Sequence, residues 1–284
     1  MNNYAFIADF FSEDMISPGG AELNNDELIK IFNSKKIDIH RVRSCDLDLT
    51  SLQKKNTEKI FYIIANFINL KKECKDYLQQ VGKYAIYEHD HKYLVTRNPA
   101  DYPNFEAPQK QIINYNFYKN AKAVLCQSSF HKDIICKNLK LDNIVSVGGN
   151  LWSEETLQML EKYSFKKKQN VCSIMDSPIP HKNTAKAIAY CRYKKMPYEL
   201  IKSADYHTFL DKLSNNDKLV FFPETPETLS RIIVECRMMN MKVITNNLIG
   251  ATYEPWFKVK GAELIEIMLQ KRNQIYDIVI GLNH

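Results

Sequence analysis

Two carboxylates eight residues apart, Glu227 and Glu235, lie in the segment Phe221 to Asn247, FFPETPETLSRIIVECRMMNMKVITNN. The apolar run Leu219 to Phe222 predicts a buried strand that stops at Pro223. A Glu/Thr/Pro loop follows, then a helix from about Thr228 with Leu229, Ile232, Ile233 and Cys236 on one stripe. Lys242 to Thr245 reads as the next strand. On one continuous helix the two carboxylates would stand roughly 80° apart in rotation and about 12 Å apart in height. With Glu227 still in the loop, both can face one ligand at the carboxyl end of a parallel strand, where open α/β sheets bind ligands. The plainer alternative is a pair of exposed acids, with Arg231 giving Glu235 a surface ion pair.

Two further stretches place polar groups at strand ends. Ser17-Pro18-Gly19-Gly20-Ala21-Glu22 follows an apolar strand, Tyr4 to Phe10, and opens a helix whose Ala21, Leu28 and Phe32 share a face. Gly19 and Gly20 would let the backbone turn sharply and let a ligand approach the amide-rich helix start, or would simply make an ordinary β–α turn. Glu88-His89-Asp90-His91 ends a strand from Tyr84 to Tyr87. An imidazole there can hydrogen-bond a substrate, or the group can be plain strand-end solvation. A metal is disfavoured, because adjacent residues of an extended chain alternate faces.

Together these stretches resemble the retaining glycosyltransferases of the two-domain GT-B fold, family 4 in particular, in a compact form. In that family the first glutamate of such a pair contacts the donor sugar and the second the ribose hydroxyls, so the resemblance gives these roles to Glu227 and Glu235. It puts Thr228, Leu229, Ser230 and Arg231 in the donor site between them, and lays Gly19 and Gly20 against donor phosphate and acceptor. His89 and Asp90 are similar to the His-Asp that closes an inner strand of the first domain; with Glu227 they make up the implied catalytic set. Ala121 to Ser129 resembles the strand ending in serine before that domain's last helix, and Ile144 to Asn150 the hinge strand. Ile174 to Asn183, IMDSPIPHKN, resembles the first strand and loop of the donor domain, with Lys182 at the matching lysine.

The chain departs from the pattern at two places. Asp176-Ser177 stands where relatives have Gly-Arg, whose guanidinium helps neutralise the leaving diphosphate and is not easily replaced. Thr228-Leu229-Ser230 replaces Gly-Phe-Gly, so hydroxyls substitute for bare backbone. Lys182, the helix starts near Gly20 and Thr228, and Arg97 or Arg231 are the candidates to offset the developing negative charge.

Elements alternate along the chain. Strands are expected near residues 4–10, 36–43, 59–67, 84–89, 122–127 and 144–148, interleaved with helices near 20–33, 69–81, 107–120 and 129–138. Ser153 is the expected N-cap of a helix over Trp152 to Phe165. Past the polar break at Lys166-Lys167-Lys168, strands are expected near 171–175, 198–201, 218–222 and 242–245. The fold class is α/β, with two Rossmann-like, doubly wound parallel-sheet domains facing a cleft. The acceptor domain is assigned residues 1–165 and the nucleotide-sugar domain 166–284, with a final helix from Gly261 to Leu282 packing back on the first.

Composition fits that reading. At 284 residues the chain can hold two cores, and 45% hydrophobic with 25% charged residues is the balance of a soluble globular protein. No apolar run spans a bilayer, and Asp9 interrupts the first apolar stretch, which reads as a strand and not a signal peptide. Seven scattered cysteines without C-x-x-C pairs point to a reducing cytosol. Lysine clusters at Lys54-Lys55-Lys59, Lys71-Lys72-Lys75 and Lys166 to Lys168 are read first as solvated faces, though they also permit peripheral membrane contact. The expected activity is transfer of a sugar from a UDP-, GDP- or ADP-linked donor to a glycan, lipid-linked or other acceptor, with no cofactor and no metal required. The net charge of +6 permits nucleic acid as acceptor without demanding it. A non-catalytic GT-B relative and a nucleotide-sugar epimerase are the rival readings.

Overall fold

The structure, a computed structural model, describes residues 3–54, 59–203 and 205–283, so Lys55 of the first lysine cluster lies outside the described residues. The chain divides into two compact units, one running to Leu151 and taking up Arg272 onward, the other Trp152 to Lys271.

The first unit runs β1 (Asn3–Ala8), α1 (Gly20–Ser34), β2 (Ile39–Arg43), α2 (Leu49–Lys54), β3 (Ile60–Ile64), α3 (Lys72–Val81), β4 (Lys83–Glu88), α4 (Tyr115–Lys119), β5 (Val124–Cys126), α5 (Ser129–Leu139) and β6 (Ile144–Ser146). The strands form one sheet in the order β2-β1-β3-β4-β5-β6, every pair parallel. Alternation explains why β1 reads as an unbroken apolar run: Ala5 and Ile7 enter one core, Tyr4, Phe6 and Ala8 the other. On the second face Phe32 of α1 meets Tyr4 and Tyr276 edge-on, at ring distances of 5.0 and 5.2 Å.

The helix expected over 107–120 shrinks to α4. Pro108 precedes a short 3-10 turn at Gln109–Gln111, Ile112 pairs with Leu94, and Asn114 at φ 56° starts the helix late. The short helix α2 was not anticipated by the periodicity.

The second unit holds α6 (Glu154–Ser164), β7 (Gln169–Met175), α7 (Thr184–Tyr193), β8 (Tyr198–Ile201), α8 (Tyr206–Ser214), β9 (Asn216–Phe221), α9 (Arg231–Met238) and β10 (Lys242–Thr245), then α10 (Ala262–Gly281) as far as Lys271. Its sheet is parallel in the order β10-β9-β7-β8. The division falls ahead of α6 and not at Lys166–Lys168, because Trp152, Leu157 and Leu160 are buried in this unit's core. The lysines tie that corner together: Lys166 Nζ reaches Asp211 at 2.6 Å and Lys168 Nζ the Tyr163 carbonyl at 2.8 Å. Leu264 and Met268 of α10 lie in the same core, whereas Ile275, Tyr276 and Val279 are buried with Tyr4 and Phe32.

Two local features carry tests. His131, fully buried in α5, takes the Gln127 backbone N–H on Nδ1 at 3.4 Å and donates Nε2–H to the Asp90 carbonyl at 2.9 Å. Burial pushes it down from 6.5 to about 4. The unfolded chain therefore binds a proton that the folded one refuses between those values, so stability rises from pH 4 to 6.5 and is complete above. Against His131→Gln, wild type should gain about 3 kcal/mol across that window in denaturant titrations; a parallel pair of pH profiles refutes it. Gly261 sits at φ +62°, and a Cβ there would stand 2.5 Å from Asn240 Oδ1. Gly261→Ala should cost about 1–2 kcal/mol for the left-handed backbone alone, measured as a lowered denaturation midpoint.

Candidate active site

In the second unit the strand order reverses between β7 and β9, and the loops beyond their carboxyl ends meet there. The loop after β7 is anchored by Asp176 N–H to the Ile201 carbonyl at 2.9 Å and by Thr184 Oγ1 to the Met175 carbonyl at 2.8 Å. A 3-10 turn, Pro180–Lys182, then leads to Asn183, the α7 N-cap in left-handed geometry at φ 56°, a conformation asparagine tolerates. The loop after β9 is joined to it by Glu224 N–H to the His181 carbonyl at 2.9 Å. Glu227 is then clamped by its backbone, donating to the Leu248 carbonyl at 2.8 Å and accepting from Gly250 N–H at 2.9 Å. Its carboxylate meets Lys182 Nζ at 2.7 Å, with the two side chains 15% and 23% exposed. Such a half-open pair adds at most about 1 kcal/mol to stability. Its consequence is positional, one cation and one anion held together at the switch point.

The next helix starts later than expected. α9 begins at Arg231, and Thr228 to Ser230 remain loop. Leu229 is fully buried in the core, so its side chain does not face a ligand; its carbonyl accepts from Ala251 N–H at 3.0 Å. Ser230, at φ 74°, takes the left-handed geometry that the resembling family serves with glycine, although it carries a Cβ. Its Oγ is buried and has no hydrogen-bond partner among the described residues.

Glu235 is placed very differently from Glu227. It is 2% exposed, and its Oε1 accepts from Trp152 Nε1–H at 2.9 Å and from Tyr206 O–H at 2.5 Å. Arg231 Nε stands 3.4 Å from the same oxygen, and the Arg231 guanidinium lies 4.5 Å over the Trp152 ring. Burial and the neighbouring carboxylate push the Tyr206 phenol up, so it stays a donor. Sequence reasoning missed Trp152 and Tyr206, whose only signal was an aromatic residue at a helix start. Asp176 and Ser177 are half-buried.

In the first unit, Gly19 is the N-cap of α1 and Gly20 its first residue, both exposed. Gly19 has φ −79°, an ordinary value, and a Cβ would meet only the flexible Glu22 carboxylate, at 2.8 Å. The sharp glycine turn expected there is therefore not needed; the absent side chains leave the helix start bare.

His89 has both ring nitrogens engaged, Nε2 with Asn25 Oδ1 at 2.6 Å and Nδ1 with the Gln127 side-chain amide. His91 leaves on the other side, against Tyr93 and His131. Among the described residues no group of three or more His, Cys, Asp or Glu could hold a metal ion. Asp90 pairs with Lys92 Nζ at 2.7 Å and with Arg97. Lys92 also pairs with Glu88, and Tyr118 O–H donates to that same buried carboxylate. Burial pushes Glu88 up to about 7 against the pull of Lys92. Burial would raise Asp90 as well, but Lys92, the Glu88 contact and Arg97 outweigh it and hold the carboxyl well below the usual range. Asp90 is thus an ionised, salt-bound group. Asn25 and Lys92 carried no motif signal, and Glu88 and Gln127 lay in the motif stretches without a role of their own.

The sequence matches no protein-family model and no curated protein. Solved structures do share its fold. HepE of Anabaena, in complex with UDP and glucose, superposes with a TM-score of 0.55 at 12% identity, over 98% of this chain and 91% of that one. The catalytic domain of starch synthase IV from Arabidopsis thaliana, bound to ADP and acarbose, gives 0.57 at 8% identity, over 99% and 94%. An alpha-glucosyltransferase in complex with UDP and a 13-mer DNA containing an HMU base gives 0.51 at 8% identity, over 98% and 94%. Identities this low speak for architecture alone, and the architecture is the GT-B fold, built from two Rossmann-like α/β units with parallel sheets.

Proposed function

We propose that the chain is a glycosyltransferase that moves a sugar from a nucleotide-sugar donor to an acceptor hydroxyl. The observation that carries this reading is the Lys182–Glu227 pair at the β7/β9 switch point, beside the start of α9. Loss of a nucleoside diphosphate from the anomeric carbon builds negative charge on phosphate oxygens. Lys182, partly exposed at the switch point, is the cation placed to meet it, supported by the α9 start and the Ser230 hydroxyl. When Lys182 turns from Glu227 to the diphosphate, the carboxylate is released to accept hydrogen bonds from sugar hydroxyls. One ion pair thereby couples phosphate binding to sugar binding.

The finer reading keeps anomeric configuration: the acceptor attacks from the face the diphosphate leaves, and the departing phosphate takes the acceptor's proton. Support for retention comes from the resemblance of the Glu227–Glu235 segment, and support for a nucleotide-linked donor from the fold counterparts, whose structures hold UDP or ADP. His89, Asp90 and the bare start of α1 at Gly19 and Gly20 are assigned to the acceptor side. Thr228 and Arg231 are assigned to the donor side, and Leu229 contributes there only through its backbone.

Titration with UDP, GDP and ADP should show micromolar binding of one of them. Lys182→Ala should weaken it by roughly tenfold or more, the loss of one charge-assisted contact. Glu227→Gln should keep nucleotide affinity and lower turnover by about a hundredfold or more, because its contact serves the transferring sugar. Near-normal turnover of Glu227→Gln would remove it from the site. No binding of any nucleotide would favour a non-catalytic relative.

A further inference from the structure

Resting on the nucleotide-sugar reading, we infer that Glu235 does not read the ribose: it is a positioning residue that, with Trp152 and Tyr206, sets the guanidinium of Arg231 for the diphosphate. Three separate parts of the unit build this cage. Trp152 precedes α6, Tyr206 opens α8, and Arg231 and Glu235 lie one turn apart on α9. The indole ring supports the guanidinium face at 4.5 Å. The Glu235 carboxylate fixes its Nε side at 3.4 Å, and the Tyr206 oxygen lies 3.5 Å from one terminal nitrogen.

The same contacts disqualify Glu235 as a ribose acceptor. Its side chain is 3% exposed, and its Oε1 already takes the indole and phenol protons. A ribose hydroxyl would have to break into that arrangement and leave a buried donor unpaired, a costly exchange. Arg231 is itself 10% exposed, but it is the first residue of α9, where anions are favoured, and directly follows Ser230 with its buried, unpartnered hydroxyl. Glu235 and Arg231 carry opposite charges, so the cage orients a cation without leaving the interior charged.

Specificity follows from this division of labour. Selectivity for ribose over its deoxy forms does not come from Glu235, and Arg231 adds to Lys182 in selecting diphosphate over monophosphate.

The test pairs UDP, ADP and GDP with their 2′,3′-dideoxy counterparts and their monophosphates, by calorimetry on wild type, Glu235→Gln and Arg231→Met. Wild type should bind the dideoxy diphosphate within about threefold of the parent, and Glu235→Gln should weaken parent and dideoxy diphosphate by one common factor of about threefold or more while leaving the monophosphates unchanged. Arg231→Met should lose roughly tenfold or more on the diphosphate and little on the monophosphate, so the preference between them falls by that factor and the remainder is owed to Lys182. A dideoxy penalty of about tenfold or more in wild type that vanishes in Glu235→Gln would assign the ribose to Glu235 and overturn the inference. An intact diphosphate preference in Arg231→Met would overturn it as well. A wild-type dideoxy penalty below about threefold excludes a ribose contact by Glu235 without any variant, even where a substitution unfolds the chain. Absence of binding by every nucleotide to wild type is a different failure, of the transferase reading itself, and takes the inference with it.

Discussion

Parallel strands covered on both faces confine polar chemistry to the loops beyond their carboxyl ends. In the first unit the residues of β1 from Tyr4 onward are buried alternately in two cores, and the polar residues His89 and Asp90 follow where β4 stops. In the second unit the reversal between β7 and β9 opens the loops after those strands toward each other. Lys182 and Glu227 belong to those two loops, so their meeting at 2.7 Å follows from sheet order and not from sequence proximity.

Both units also place charge inside, and each solves the desolvation problem differently. In the first, Glu88, Lys92, Asp90 and Arg97 alternate in sign from the core outward. Removing Lys92, the fully buried cation, would strand the buried Glu88 carboxylate, at a cost of about 3–5 kcal/mol. In the second, Glu235 is met by neutral donors from Trp152 and Tyr206 as well as by Arg231. The first arrangement fixes the exit of β4, from which His89 and Asp90 project. The second fixes the start of α9.

How much of this was legible follows from the range of the forces involved. Strands such as Ile60–Ile64 and Leu219–Phe221 declare themselves because burial on both faces demands an apolar run, a local property. The loop position of Glu227 was legible from Pro223 and Pro226, and Lys182 from its motif. The burial of Glu235 was not, because it depends on an indole 83 residues away. The lysines at 166–168 looked like a linker by composition, yet they bond to Asp211, Ser214 and the Tyr163 carbonyl. Apolar periodicity over 107–120 suggested a helix that Pro108 and the left-handed Asn114 do not allow.

Ser230 concentrates two costs on one residue. Its backbone is held where a Cβ is strained by about 1–2 kcal/mol, and its hydroxyl is buried without a partner, which costs a similar amount again. Glycine would remove both at once, and the resembling family uses glycine there. A serine in that setting is unfavourable for folding, and the diphosphate proposed above would give its hydroxyl a partner. It lies at the helix start that follows the Lys182–Glu227 pair in the same loop system, and Arg231 comes next in sequence. A hydroxyl that donates to an anion would relieve the unpaired group and exploit the helix start together. The strain at Ser230 therefore accords with the proposal that seats the diphosphate at the amino end of α9.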